Sequence, residues 1–166
     1  MQDDQDVQGE ADLGDIRVVA VDSRGQRRQV MRRLLEHCFE PAQIAEADSQ
    51  TAAIELVGRC SPEVVVLEIQ MPVEVGLDTI DALGRMSPRP RIVVCSFLHD
   101  AATVMAALDR GADAYVAKPA GSAELRAALA VSPLERGVRH RPRNERPVSP
   151  SPLRDLESAV ETKATP

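Results

Sequence analysis

The stretch Pro-Glu-Val-Val-Val-Leu-Glu-Ile-Gln-Met-Pro, residues 62–72, decides the fold. Its centre is an unbroken apolar run, Val64 to Leu67, with two flanking prolines. A strand with one wet face alternates polar and apolar residues. A continuous β-branched run instead suits a strand covered on both faces, as in a parallel sheet between helices. The run stops at an acid, Glu68, and the chain then turns at Met71 and Pro72.

Working outward, three more runs of this kind appear at 16–21, 92–95 and 114–117, with a weaker one at 43–47. Helical periodicity fills the gaps. Over 26–38, Val30, Met31, Leu34, Leu35 and Cys38 share one face, with Arg27, Arg28, Arg32 and Arg33 largely opposite. Those arginines read as a solvated face in preference to a nucleic-acid patch. Ser49 is placed to cap a helix carrying Ala52, Ala53, Leu56 and Val57. Leu77, Ile80 and Leu83 form a third stripe. Val104, Met105 and Leu108 form a fourth that stops at Gly111. Ser122 is the expected cap of a fifth, with Leu125, Ala128 and Leu129 inward. Five strand–helix units in alternation predict an α/β fold: a doubly wound parallel sheet with helices on both faces.

The ends differ from this middle. Residues 1–15 hold Asp3, Asp4, Asp6, Glu10, Asp12 and Asp15 with no basic residue, and read as a disordered acidic tail. Residues 132–166 are rich in proline and arginine and read as a second disordered tail. The ordered domain is expected over 16–131.

Composition excludes several classes of function. The net charge of −6 argues against a generally basic nucleic-acid surface. Phe39, Phe97 and Tyr115 are the sole aromatics, so base-stacking platforms are not expected. No apolar run approaches the roughly 20 residues needed to span a bilayer, and none resembles a signal peptide. Cys38, Cys60 and Cys95 lack zinc-like or Cys-x-x-Cys spacing and read as reduced thiols of a cytoplasmic protein. No glycine-rich phosphate loop follows the first strand, which leaves a nucleotide or flavin enzyme unsupported.

In open α/β sheets, ligands bind beyond the carboxyl ends of the strands. Asp22 and Ser23 follow the first strand, Glu68 the third, Ser96 the fourth, and Lys118 with Pro119 the fifth. Two carboxylates, a hydroxyl and an ammonium are therefore expected to converge.

The segments Val-Val-Ala-Val-Asp-Ser (18–23), 62–72, Val-Val-Cys-Ser (93–96) and Gly-Ala-Asp-Ala-Tyr-Val-Ala-Lys-Pro (111–119) resemble the receiver domains of bacterial two-component response regulators. The resemblance implies a flavodoxin-like (βα)5 sheet of strand order 2-1-3-4-5. It also implies site roles. Asp22 matches one member of the acidic pair that holds magnesium, and Ser23 sits where the second acid is expected. Glu68 sits where the phosphate-accepting aspartate is expected. Ser96 matches the hydroxyl that contacts the phosphoryl group, Tyr115 the aromatic switch residue, and Lys118 the lysine that pairs with the phosphoryl group. The Lys118–Pro119 peptide is expected to be cis.

Three departures bear on the chemistry. Ser23 removes a charge from the magnesium set of Asp22 and Glu68, leaving weak binding or none. Glu68 adds a methylene, which moves its carboxylate by roughly 1–1.5 Å. A shift of that size can slow an in-line transfer by about a hundredfold. Phe97 follows Ser96 where the family usually carries a small residue; its ring either covers the pocket or turns into the core. The combination implies an atypical receiver, a non-enzymatic pseudo-receiver acting through protein partners. The expected partner face is the fourth helix, fifth strand and fifth helix, with Met105, Asp109, Arg110, Tyr115 and Arg126, and a homodimer is compatible with it. Two alternatives stand beside this: a conventional phosphorelay receiver that still accepts phosphate, and a nucleic-acid regulator acting through the basic tail. Glu68 and Lys118 are expected within ion-pair or one-water reach.

Overall fold

The computed structural model describes residues 17–130. The expectations for the two tails lie outside these residues.

Each apolar run is a strand: β1 Val18–Val21, β2 Ile44–Ala47, β3 Val64–Leu67, β4 Arg91–Ser96 and β5 Ala114–Ala117. They form one parallel sheet of order β2-β1-β3-β4-β5. The helices are α1 Gly25–Leu35, α2 Gln50–Cys60, α3 Val73–Gly84, α4 Ala101–Asp109 and α5 Ser122–Leu129. Alternation along the strands sends side chains to two separate cores. Val19, Val21, Val65, Leu67, Ile92 and Val94 pack with Ala53, Val57, Ile80, Leu83 and Ala107 of α2, α3 and α4. Val18, Ala20, Val64, Val66, Val93 and Val116 pack with Met31, Leu35, Leu125 and Leu129 of α1 and α5. Two-sided burial is why the central strands β1 and β3 are apolar at every position.

One close approach fixes the β3–α3 connection. A Cβ on Gly76 would lie 2.3 Å from the Ile69 carbonyl oxygen, so only glycine lets α3 pass this near the end of β3. Gly111, at φ +109, lets the chain reverse after α4.

Local details depart from expectation in three places. α1 ends at Leu35 instead of Cys38. The Cys38 and Phe39 amides both donate to the Leu35 carbonyl, and the chain turns away so that both side chains pack against the second core. Val30, assigned to the inner face of α1, is 58% exposed. On α4 the stripe is largely turned outward: Ala107 is the helix's one buried residue, while Met105, expected on the partner face, and Leu108 face solvent. Gly121, not Ser122, occupies the N-cap of α5, where the Glu124 side chain accepts from its amide at 3.0 Å. Ser49 caps α2 as read, accepting from the Ala52 amide.

The arginines of α1 have intramolecular work. Arg28 and Arg32 both reach Glu46 of β2, at 3.0 and 3.2 Å, and Arg32 also pairs with Glu36.

Candidate functional site

The parallel sheet brings the carboxyl ends of β1, β3, β4 and β5 to one edge. There Asp22, Glu68 and Ser96 are buried, unlike the ordinary surface location of acids. Such groups persist in a core only when satisfied. Glu68 is satisfied completely. Its Oε1 accepts from Ser96 Oγ at 2.5 Å and from the Gln70 amide at 3.0 Å. Its Oε2 accepts from Lys118 Nζ at 3.0 Å. Asp22 is satisfied in part: Oδ1 accepts from the Arg24 amide at 2.9 Å. Asp22 Oδ2 has no hydrogen-bond partner and lies 3.8 Å from Lys118 Nζ. Ser23, by contrast, is exposed.

The β4–α4 loop is tied down onto this floor. Ser96 Oγ accepts from the Leu98 amide at 3.2 Å, and Tyr115 donates its hydroxyl to the Leu98 carbonyl. Asp100 caps α4 by accepting from the Thr103 amide, a bond that holds its carboxyl below the usual range. Burial pushes the Tyr115 hydroxyl up, opposed by Ser96 and reinforced by the charge of Glu68. Burial also pushes the Cys95 thiol up to about 11. The Lys118–Pro119 peptide is cis, as are Met71–Pro72 and Ser87–Pro88.

Phe97 does not enter the core. It is 46% exposed, and its ring lies 5.3 Å from Lys118 Nζ and 5.0 Å from the Arg27 guanidinium carbon. Arg27 also donates to Gln70 Oε1 at 3.1 Å. Sequence reading missed Arg27 and Gln70 as parts of the site. No periodic or spacing signal marks either, since the partners meet only after the sheet closes. His99 stays at the surface of the loop, its Nδ1 3.0 Å from the Phe97 carbonyl.

The chain matches the model of the response regulator receiver domain over residues 18–130. It belongs to that family. The receiver is 26% identical to a response regulator protein from Burkholderia pseudomallei, solved with a phosphorylated aspartic acid, calcium ion and citrate. That match has a TM-score of 0.62 and covers 70% of this chain and 67% of the other. The response regulator domain of Thermotoga maritima CheB is 25% identical, with a TM-score of 0.56, over 71% of this chain and 98% of that one. Among curated proteins, protein-glutamate methylesterase/protein-glutamine glutaminase 2 of Carboxydothermus hydrogenoformans is 36% identical over 115 residues, 69% of this chain and 32% of that protein. The corresponding Escherichia coli K12 protein is 32% identical over 108 residues, 64% of this chain and 31% of its own length. The receiver thus spans about a third of the length of these curated relatives.

Magnesium binding in such a pocket would need oxygen ligands in near-octahedral array, with one or two carboxylates among them. Here both Glu68 oxygens already accept hydrogen bonds, and Ser23 offers a neutral hydroxyl on the surface. Asp22 Oδ2 is the one buried carboxylate oxygen left over, and an ammonium stands beside it. Among the described residues, no three His, Cys, Asp or Glu side chains are grouped to hold a metal. The donor set does not fit the ion.

The residues expected on a partner face lie on or beside α4, β5 and α5. Met105, Leu108 and Asp109 are exposed on α4. Arg110 is drawn toward α3 by Asp78 and Asp81, at 2.7 and 2.9 Å, and Arg126 of α5 donates to the His37 carbonyl on the α1 side. No helix among the described residues is long and apolar enough to cross a membrane.

Proposed function

We propose that this receiver domain acts in signal transduction as a protein-interaction module and does not accept a phosphoryl group at residue 68 in the usual way. The observation that carries this reading is the full engagement of Glu68: it is buried, and both its oxygens are held by Ser96, Gln70 and Lys118. An attacking oxygen needs a free lone pair in line with phosphorus at near-attack distance. One lone pair of Oε2 stays uncommitted, but Lys118 fixes the direction of that oxygen. Turning the carboxylate to bring it in line breaks a buried, charge-assisted hydrogen bond, which costs about 1.5–3 kcal/mol before any chemistry. Phe97 stands over the same lysine.

The same contacts give the pocket a second property. Glu68 reaches Ser96 and Lys118 directly, the two groups that by family resemblance would contact a phosphoryl group. The pocket therefore partly imitates the phosphorylated state. The imitation is incomplete, because a phosphoryl group carries about −1.5 to −2 charge and three acceptor oxygens. Asp22, Ser96 and Lys118 then serve as a polar floor, with magnesium bound weakly or not at all.

Output runs through the side of the molecule bearing α4 and Tyr115, toward a cytoplasmic protein partner or a second copy of the domain. Arg110 and Arg126 contribute less to that face than their positions in sequence implied. The ester and amide hydrolysis named for the curated relatives is theirs; the residues described here form a recognition module and not an enzyme.

The test is incubation of the whole chain with a small acyl-phosphate donor and magnesium, followed by intact-mass measurement. The expected result is an unchanged mass. Stoichiometric, magnesium-dependent addition of one phosphoryl group, lost in Glu68→Ala, would restore the conventional phosphorelay role.

A further inference from the structure

The misfit of a metal ion has a specific structural counterpart. Asp22 Oδ2 is buried without a hydrogen bond, and the nearest cation is not solvent but the chain itself. Lys118 Nζ lies 3.0 Å from Glu68 Oε2, 3.8 Å from Asp22 Oδ2 and 5.3 Å from the centre of the Phe97 ring. Two carboxylates and an aromatic face surround one ammonium. We infer that Lys118 is the resident cation of this pocket, filling the place of a divalent metal and excluding it, with Phe97 as its cover. The inference deepens the reading of the pocket as non-phosphorylating and rests on it.

The choice of residue fits the task. The chain has 20 lysines and arginines, and Lys118 is the one lysine among the described residues. Arginine makes the surface pairs with Glu46, Glu63, Asp113 and Asp78. A guanidinium is a planar fork, suited to side-on pairing. An ammonium is a compact point charge that can sit between two carboxylates set at an angle, much as a small metal ion does. It differs from magnesium in needing no octahedral shell.

The cover is held in place by a closed ring of contacts. Glu68 Oε1 accepts from the Gln70 amide, and Gln70 Oε1 accepts from Arg27. Arg27 lies over Phe97, Phe97 lies over Lys118, and Lys118 returns to Glu68. Two cations on one ring strengthen its hold over the mouth, each by the attraction of positive charge to the π quadrupole. Lys118 has little exposure left, with its side chain 12% accessible. A hydrated divalent ion arriving from solvent would have to displace the ring, shed its own waters and repel an ammonium 3.0 Å from its intended ligand.

The experiment uses the whole chain, manganese as paramagnetic probe and magnesium for thermal shifts, with no phosphodonor present. A failure here is therefore distinct from a failure of the phosphorylation test. For the native chain, manganese should leave the amide signals of Asp22, Ser23 and Glu68 no broader than the rest, and magnesium should not move the unfolding midpoint. In Lys118→Ala the two carboxylates lose their cation. Manganese should then broaden those three signals selectively, and saturating magnesium should raise the midpoint by roughly 3–5 °C. Selective broadening in the native chain overturns the inference, and so does the absence of binding in both chains. Should Lys118→Ala fail to fold, amine acylation read by peptide mass decides on the native chain. Lys118 should label at least roughly tenfold more slowly than in denaturant, and several-fold faster in Phe97→Ala. Labelling of native Lys118 at the denatured rate, or no acceleration in Phe97→Ala, overturns it.

Discussion

The pocket at the strand ends and helix α4 are joined by the β4–α4 loop, yet they reverse the usual placement of polar and apolar groups in opposite directions. The pocket buries Asp22, Glu68 and Ser96 and nearly buries Lys118. Helix α4 leaves Met105 55% exposed and Leu108 37% exposed, while burying a single alanine. In the pocket, the buried groups answer one another, with one carboxylate oxygen of Asp22 left over. On α4 nothing among the described residues answers the outward apolar side chains. The first region closes on itself but for that oxygen; the second is a surface whose composition calls for a partner.

The comparison breaks most visibly if the pocket's cation is removed. Lys118→Met keeps the stem and deletes the ammonium, leaving Asp22 and Glu68 buried with uncompensated charge. Loss of one partner from a buried pair costs about 3–5 kcal/mol, so the urea midpoint should fall sharply at neutral pH. A midpoint unchanged by this substitution would mean that the pocket is wet and its contacts are weak.

A smaller effect is expected at alkaline pH. The Cys95 thiol, buried against the second core, is raised from 9.0 to about 11 by desolvation, with Glu68 and Asp22 adding and Lys118 opposing. Between those values the unfolded chain releases a proton that the folded chain retains. The stability associated with Cys95 is therefore full below pH 9.0 and is lost as pH rises toward about 11. Tyr115, also raised, acts in the same direction at higher pH. Replacing Cys95 with alanine should flatten the decline measured by denaturant titration between these limits.

The smallest effect on stability belongs to α4. Met105→Ser or Leu108→Ser should change the unfolding free energy by about 0.5 kcal/mol or less, since neither side chain is in the core. Binding to a captured protein partner, or self-association measured by sedimentation, should weaken. A large loss of stability would show that α4 is buried in the working protein in some other way.

Most of this architecture was legible in the amino-acid order. β3 and the centre of β4, Ile92 to Cys95, read correctly because two-sided burial demands apolar residues, a signal that survives without tertiary knowledge. Asp22, Glu68, Ser96 and Lys118 were placed together by topology alone, since each follows a strand of one parallel sheet. On α4, periodicity reports that an apolar stripe exists and not which way it faces; Ala107, with its small side chain, seats the helix on the sheet while Met105, expected on the partner face, and Leu108 point away. Phe97 left two readings open because its neighbours, Arg27 and Lys118, come from α1 and the end of β5, far away in the chain. Gln70 was invisible for the same reason: its contribution is one backbone amide and one carbonyl, and any residue type can supply the former.

Glu68 is the hub of the closed pocket, joining Ser96, the Gln70 amide and Lys118 without a phosphoryl group. The most direct measurement is the amide spectrum of the whole chain, recorded before and after adding magnesium and an acyl-phosphate donor, beside that of Glu68→Gln. Ser96, Leu98 and Tyr115 should keep their positions in the native chain under all conditions and shift in Glu68→Gln, where the charge on Lys118's partner is gone. Donor-dependent movement of those three signals in the native chain, with none caused by Glu68→Gln, would contradict it.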